Sequence, residues 1–153
     1  MSTLALDLGT ATGYALGVGN AAGSGTMHFP RRPKAHPGAR WSAYREWLHN
    51  LVSVQRVSLI AYEDVKSHKG ALAAHCYGAF LGMTEMVAQQ HSVPLLPLGV
   101  GQIKRAWTGR GDANKALMIQ EAIKRGHETD DHNEADALAI LNLAIQLRAK
   151  EAA

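Results

Sequence analysis

Leu4-Ala5-Leu6-Asp7-Leu8-Gly9-Thr10 decides the fold of this chain. Four apolar residues surround one carboxylate, and Gly9 ends the run. A short apolar segment bounded by a turn signal predicts a buried strand that carries Asp7 inside it. Burying an unpaired carboxylate costs several kcal/mol, so Asp7 calls for an ion pair, hydrogen bonds or a bound cation. Magnesium suits such a position, because it takes hard oxygen ligands and keeps part of its water shell. A turn or capping carboxylate ahead of Gly9-Thr10 accounts for the same residue without a metal.

Moving outward, Gly13 to Val18 and Gly25 to Phe29 follow after glycine-rich turns, and together with the first run they predict a three-stranded antiparallel meander. Pro30 to Arg40 contains Pro30, Pro33 and Pro37 and reads as a basic loop. Trp41, Tyr44, Trp47, Leu48, Leu51 and Val52 recur at helical spacing, which predicts an amphipathic helix whose apolar stripe packs on the sheet. Val57 to Tyr62 is a second buried strand, ending in Glu63-Asp64. Ala71 to Gln90 predicts a helix and Val93 to Leu98 a short strand. Helices are expected again over Ala113 to Lys124 and from about Asn133 to Lys150, separated from what precedes by the Gly109-Arg110-Gly111 break. An opening meander followed by alternating strands and helices implies an α/β fold, a mixed sheet covered by helices.

With 153 residues, 46% of them apolar, the chain fits one domain, residues 1–153, with a substantial core. The formal charge of +3 permits an anionic partner without requiring one. Its distribution says more. Pro30 to Arg45 holds Arg31, Arg32, Lys34, Arg40 and Arg45 and no acid, whereas Gly126 to Asp136 holds Glu128, Asp130, Asp131, Glu134 and Asp136 and no Lys or Arg. Bound cations would relieve the self-repulsion of that acidic run. Cys76 is the only cysteine, which excludes an internal disulfide and a cysteine-rich zinc site. The opening residues resemble no signal peptide and no apolar run is long enough to span a bilayer, so a soluble cytoplasmic protein is expected.

Two further acids stand out. Glu63 ends a strand, where a water-facing carboxylate is equally ordinary. Asp136 lies near a helix start, where the helix dipole by itself favours an anion. If that helix begins by His132, the i, i+4 spacing puts His132 and Asp136 on one face, able to hold a metal between them.

Leu4 to Thr10 with Gly13, Ala61-Tyr62-Glu63, Ile103-Lys104 followed by Thr108-Gly109-Arg110-Gly111-Asp112-Ala113-Asn114-Lys115, and Asp136-Ala137-Leu138-Ala139 stand in this order along nearly the whole chain. The set resembles the RuvC family of Holliday junction resolvases, and the compactness of the chain is similar to that of its phage-encoded members. The resemblance implies a ribonuclease H-like fold with a mixed five-stranded sheet, an antiparallel meander and then parallel strands, flanked by helices. It also implies hydrolysis of DNA phosphodiesters at four-way junctions or other branch points, by a homodimer in the cytoplasm of a bacterial cell or phage-infected host. Two Mg2+ ions would serve each active site, with Mn2+ able to substitute.

Position by position, the resemblance makes Asp7 a bridge between two metals, Glu63 a ligand of one, and Asp136 the closing ligand. The family often has Asp or His three residues before the last aspartate; Asn133 stands there in this chain, which leaves Asp131 or His132 for that role. Lys104 and Lys115 would lie near the scissile phosphate or bind the backbone. Arg110, Lys66, Lys69, Arg31 and Arg32 would contact DNA. Some family members place an aromatic wedge shortly after the second acid, whereas Glu63 is followed here by Asp64-Val65-Lys66-Ser67-His68-Lys69. The same residues fit a ribonuclease H acting on RNA–DNA hybrids, and a non-cleaving branched-DNA binding protein is a third possibility. Asp7-Leu8-Gly9-Thr10 also resembles the first phosphate motif of sugar kinases and actin-like ATPases, but those proteins need two such domains.

Overall fold

The computed structural model of the chain describes residues 2–18 and 20–153. Its strands are β1 (Ser2–Asp7), β2 (Ala11–Val18), β3 (Asn20–His28), β4 (Val57–Asp64) and β5 (Leu95–Gly99). Its helices are α1 (Ala39–Val54), α2 (Ala71–Gln90), α3 (Val100–Thr108), α4 (Lys115–Lys124) and α5 (His132–Ala152). The strands form one sheet in the order β3-β2-β1-β4-β5. β1 pairs antiparallel with β2 and parallel with β4, and β4 pairs parallel with β5. This is the mixed sheet expected from the sequence, an antiparallel meander extended by parallel strands.

The run containing Asp7 lies at the centre of the sheet, with apolar residues buried on both of its faces. Leu4, Ala5 and Leu6 have no exposed surface. Alternation sends Leu4 and Leu6 into a cluster with Tyr44 and Leu48 of α1 and Phe80 and Val87 of α2, and Ala5 into a cluster with α3, α4 and α5. Burying each leucine contributes about 2 kcal/mol. The first face is bulky and aromatic. Phe29, Tyr44, Trp47 and Phe80 meet edge to face or tilted, and the Tyr44 and Thr84 hydroxyls bond at 2.7 Å inside the core. Trp41 and Trp47 both pack against this cluster.

The second face is built from small side chains. Ala5, Ala15 and Ala61 project from three adjacent strands, and α5 meets them with Ala135, Ala137, Ala139 and Ala144. Such surfaces let a helix lie close to the sheet. α5 is buried nearly all round at its centre, because α3 and α4 cover the side that faces away from the strands.

Three boundaries differ from the sequence reading. β3 begins at Asn20 and runs through Gly23, which composition assigned to the turn before Gly25, because its backbone pairs with β2 along most of its length. α3 follows β5 without a loop and was not foreseen; its apolar pair Ile103 and Trp107, spaced i, i+4, is buried. α4 starts at Lys115, not Ala113, because Asn114 accepts a hydrogen bond from the Leu117 N–H at 2.9 Å and caps the helix.

α5 lies directly against the sheet at Gly13. Gly13 pairs with Asp7 in the β1–β2 register, and a Cβ on it would overlap the backbone carbonyl of Asn133 in the first turn of α5. Gly13→Ala is expected to destabilise the protein by about 2 kcal/mol through overpacking, measured by urea denaturation. An unchanged midpoint would show that the helix can withdraw without cost.

Candidate active site

Period-two alternation puts Thr3, Ala5 and Asp7 on the face that carries α5, and Ala61 and Glu63 of β4 on the same face. Leu6 pairs with Tyr62, so Asp7 and Glu63 follow side by side at the carboxyl ends of neighbouring parallel strands. α5 then delivers its acids from above. Asp131 caps the helix by accepting the Asn133 N–H at 2.9 Å, and Asp136 follows in the second turn.

The charges of these groups couple. Burial raises the Asp7 carboxyl well above the ordinary aspartate range, and the charges of Asp136, Glu63 and Asp131 push it further, against a smaller opposing pull from Lys115. Burial likewise pushes Asp136 up to about 7, with Glu63 adding to the rise and Lys104 and Lys115 opposing it. Glu63 is raised by burial and partly relieved by Lys104. Asp131 behaves differently. Burial would raise it too, but the nearby Thr26 hydroxyl, the Asn133 N–H and His132 hold it low. The Thr26 hydroxyl approaches without reaching hydrogen-bond geometry and is otherwise buried without a partner.

Asp7, Glu63, Asp131, Asp136, Lys104 and Lys115 therefore share one electrostatic site. His132 adjoins it as the first residue of α5. The remaining predicted contacts lie outside. Arg110 is exposed and paired with Asp112 at 3.2 Å; Lys66 is exposed and paired with Asp64 at 2.7 Å. Lys69, Arg31 and Arg32 are exposed without ion-pair partners among the described residues. Glu134 is turned away, accepting the Ser24 hydroxyl at 2.7 Å.

Two residues support the site in ways that the sequence did not indicate. Tyr77 of α2 donates to the Glu63 carbonyl at 2.8 Å and accepts the Val65 N–H at 3.2 Å, fixing the backbone where β4 ends. Gly13, which the sequence offered only as part of the opening motif, gives α5 its access to the sheet through its pairing with Asp7.

The donor set suits hard divalent cations. It consists of carboxylate oxygens, and burial together with mutual repulsion raises Asp7 and Asp136, a penalty on their charged forms that cations would offset. Among the described residues no three His, Cys, Asp or Glu side chains already close around one point. Magnesium does not need such a cage, since it usually binds through one or two carboxylates and keeps several waters.

A sequence profile described as Crossover junction endodeoxyribonuclease RuvC matches residues 10–145. The chain belongs to the RuvC family. Crossover junction endodeoxyribonuclease RuvC of Gloeobacter violaceus is 35% identical over 108 residues, 67% of this chain and 60% of that protein, so the match spans less than two thirds of that relative. The structure of Thermus thermophilus RuvC superposes with a TM-score of 0.81 at 22% identity, covering 98% of this chain and 97% of that one. T. thermophilus RuvC in complex with Holliday junction substrate gives 0.80 at 23%, covering 98% and 96%. The yeast mitochondrial Holliday junction resolvase Ydc2 gives 0.69 at 13%, covering 97% and 79%. These likenesses show that the RuvC fold is shared over the length of the chain, with its ribonuclease H-like sheet.

The raised carboxyls set a pH dependence. Both bind protons more tightly folded than unfolded, where an aspartate titrates near ~3.9, so metal-free stability falls as pH rises from about 4 through about 7. Asp136→Asn is expected to match wild type at pH 4 and to exceed it at pH 8, in EDTA, by on the order of 1–2 kcal/mol after solvent screening. Equal stability of the two proteins at pH 8 would mean that neither burial nor its neighbours penalise the charged Asp136.

Proposed function

We propose that this chain is a divalent-metal-dependent endodeoxyribonuclease, a single nuclease domain that hydrolyses phosphodiesters at Holliday junctions or other branched DNA. The observation that carries this reading is the convergence of Asp7, Glu63, Asp131 and Asp136, bordered by Lys104 and Lys115, at the ends of the central parallel strands of a RuvC chain. The family relative bears the name of a crossover junction endodeoxyribonuclease, and a structural neighbour is described with a Holliday junction substrate.

Asp7, Glu63 and Asp136 would hold two Mg2+ or Mn2+ ions. Asp131 is the better fourth ligand than His132, because its carboxyl is held low and stays charged at neutral pH. Ions held by these carboxylates would supply Lewis-acid chemistry, favouring a nucleophilic water and a charged leaving oxygen. The chain's own contribution is electrostatic. Lys104 and Lys115 set positive charge beside the carboxylates, where the phosphate gains negative charge in the transition state. Exposed Arg31, Arg32, Lys66, Lys69 and Arg110 would follow the DNA arms, with a salt dependence set by counterion release. A four-way junction has paired strands to cut, which a homodimer answers with two sites. Among the described residues no helix is long and apolar enough to cross a membrane, in keeping with action in the cytoplasm.

Incubation with four-way, flap, linear duplex and RNA–DNA hybrid substrates in magnesium tests the reading. Wild type is expected to cut branched DNA, and Asp7→Asn to lose at least about a hundredfold in rate while still binding the junction. Cutting confined to the hybrid would make the protein a ribonuclease H, and normal cutting by Asp7→Asn would remove Asp7 from the chemistry. Lys115→Ala is expected to slow cleavage by about a hundredfold with a smaller loss of binding, measured by single-turnover kinetics beside equilibrium titration. Equal losses in both would reduce Lys115 to a phosphate anchor.

A further inference from the structure

At the same end of the sheet as Asp7, on the opposite face, the loop before α1 and the first turn of that helix border a cavity of about 330 Å³. His28, Arg32, His36 and Arg40 line it, and none of its lining residues is acidic. Arg40 has the unusual environment. Its Nη2 donates to the Thr10 hydroxyl at 2.7 Å and lies 3.8 Å from the Cys76 sulfur, and its guanidinium sits 4.7 Å from the Trp41 ring and 5.5 Å from that of Phe80. Among the described residues no carboxylate pairs with it, and its Nε is buried with no hydrogen-bond partner. A buried donor left unmade costs about 1–3 kcal/mol, a cost that an anion drawing the side chain toward the cavity would remove.

The helix start adds independent donors. Gly38, the N-cap of α1, offers no side-chain cap. The Ala39 and Ser42 N–H groups are bonded to the His36 and Gly38 carbonyls, whereas those of Arg40 and Trp41 have no acceptor among the described residues. Free N–H groups at the positive end of a helix dipole, beside an unpaired guanidinium, favour a tetrahedral oxyanion. Thr10, which Arg40 grips, lies in the turn that leaves β1 three residues after Asp7, and the lining residue His28 pairs with Ala11, so the cavity and Asp7 share one end of the sheet.

We infer that Arg40 and the open first turn of α1 form a phosphate site that holds a backbone phosphodiester of the DNA next to the cut position. This rests on the nuclease reading for its ligand. A free phosphomonoester has the same recognition chemistry, and the experiment separates the two sources.

Binding of a labelled four-way junction is measured by fluorescence anisotropy in EDTA over a series of salt concentrations, for wild type, Arg40→Gln, Arg40→Lys and Ala43→Glu. Ala43 lines the cavity on the exposed side of α1, so Ala43→Glu keeps Arg40 and supplies it with an internal carboxylate even if Arg40→Gln folds poorly. Arg40→Gln and Ala43→Glu are expected to weaken binding about fivefold at low salt and to reduce the slope of log K against log salt by about 0.9, the loss of one phosphate contact, whereas Arg40→Lys retains the slope. Unchanged slopes in both of the first two variants would overturn the inference and leave Arg40 a brace between α1, α2 and the Thr10 turn. Inorganic phosphate and a nucleoside monophosphate are titrated calorimetrically alongside. Uptake that depends on Arg40, with junction slopes unchanged, would assign the cavity to free phosphate and overturn the DNA assignment. Because no metal is present, the readout does not depend on cutting. Reduced slopes in a protein that cleaves nothing would uphold the phosphate site and sink the nuclease, and cleavage with unchanged slopes would do the reverse.

Discussion

The site depends on one close contact, the first turn of α5 lying directly on Gly13 of β2. Gly13 is the register partner of Asp7, so the helix lies against the sheet where the central strand presents its carboxylate. Alanines on both sides continue that approach along the helix. A larger side chain at Gly13 would lift the end of α5 that carries Asp131 and Asp136, and with it half of the acidic set.

This packing brings like charges together, which opposes folding. The protein tolerates it because the α1 and α2 face, with its aromatic cluster and buried leucines, supplies burial that owes nothing to the site. Stability and chemistry are thus divided between the two faces of one sheet. The bulky face anchors the central strand, and the small-residue face brings the carboxylates within range of one another. Lys104 and Lys115 reach the same place from the segment that links β5 to α4, and they moderate the repulsion without abolishing it. The residual repulsion makes the site receptive to divalent cations.

Positive charge is distributed with the same economy. The two site lysines stand beside the acids, whereas Arg110 and Lys66 are occupied by neighbouring aspartates on the surface. Arg40 belongs to neither group. It is held in a largely aromatic and neutral setting, without a carboxylate partner among the described residues, and it faces a cavity bordered by cationic and histidine side chains.

Much of this was legible in the amino-acid order because hydrophobic period and turn chemistry are local signals. The strand around Asp7, the strand ending at Glu63 and the α2 span from Ala71 to Gln90 follow from residues adjacent in the chain. Composition misjudged the glycine-rich part of β3, where pairing with β2 and not intrinsic preference makes a strand, and it passed over α3, a short helix joined to β5 without a turn to announce it. Whether Asp7, Glu63 and Asp136 are structural caps or one site could not be settled locally either, since each has an ordinary explanation in its own segment. Only tertiary structure brought them together, because electrostatic coupling depends on distance through space, and that distance is set by how closely a helix more than a hundred residues away can pack over a glycine.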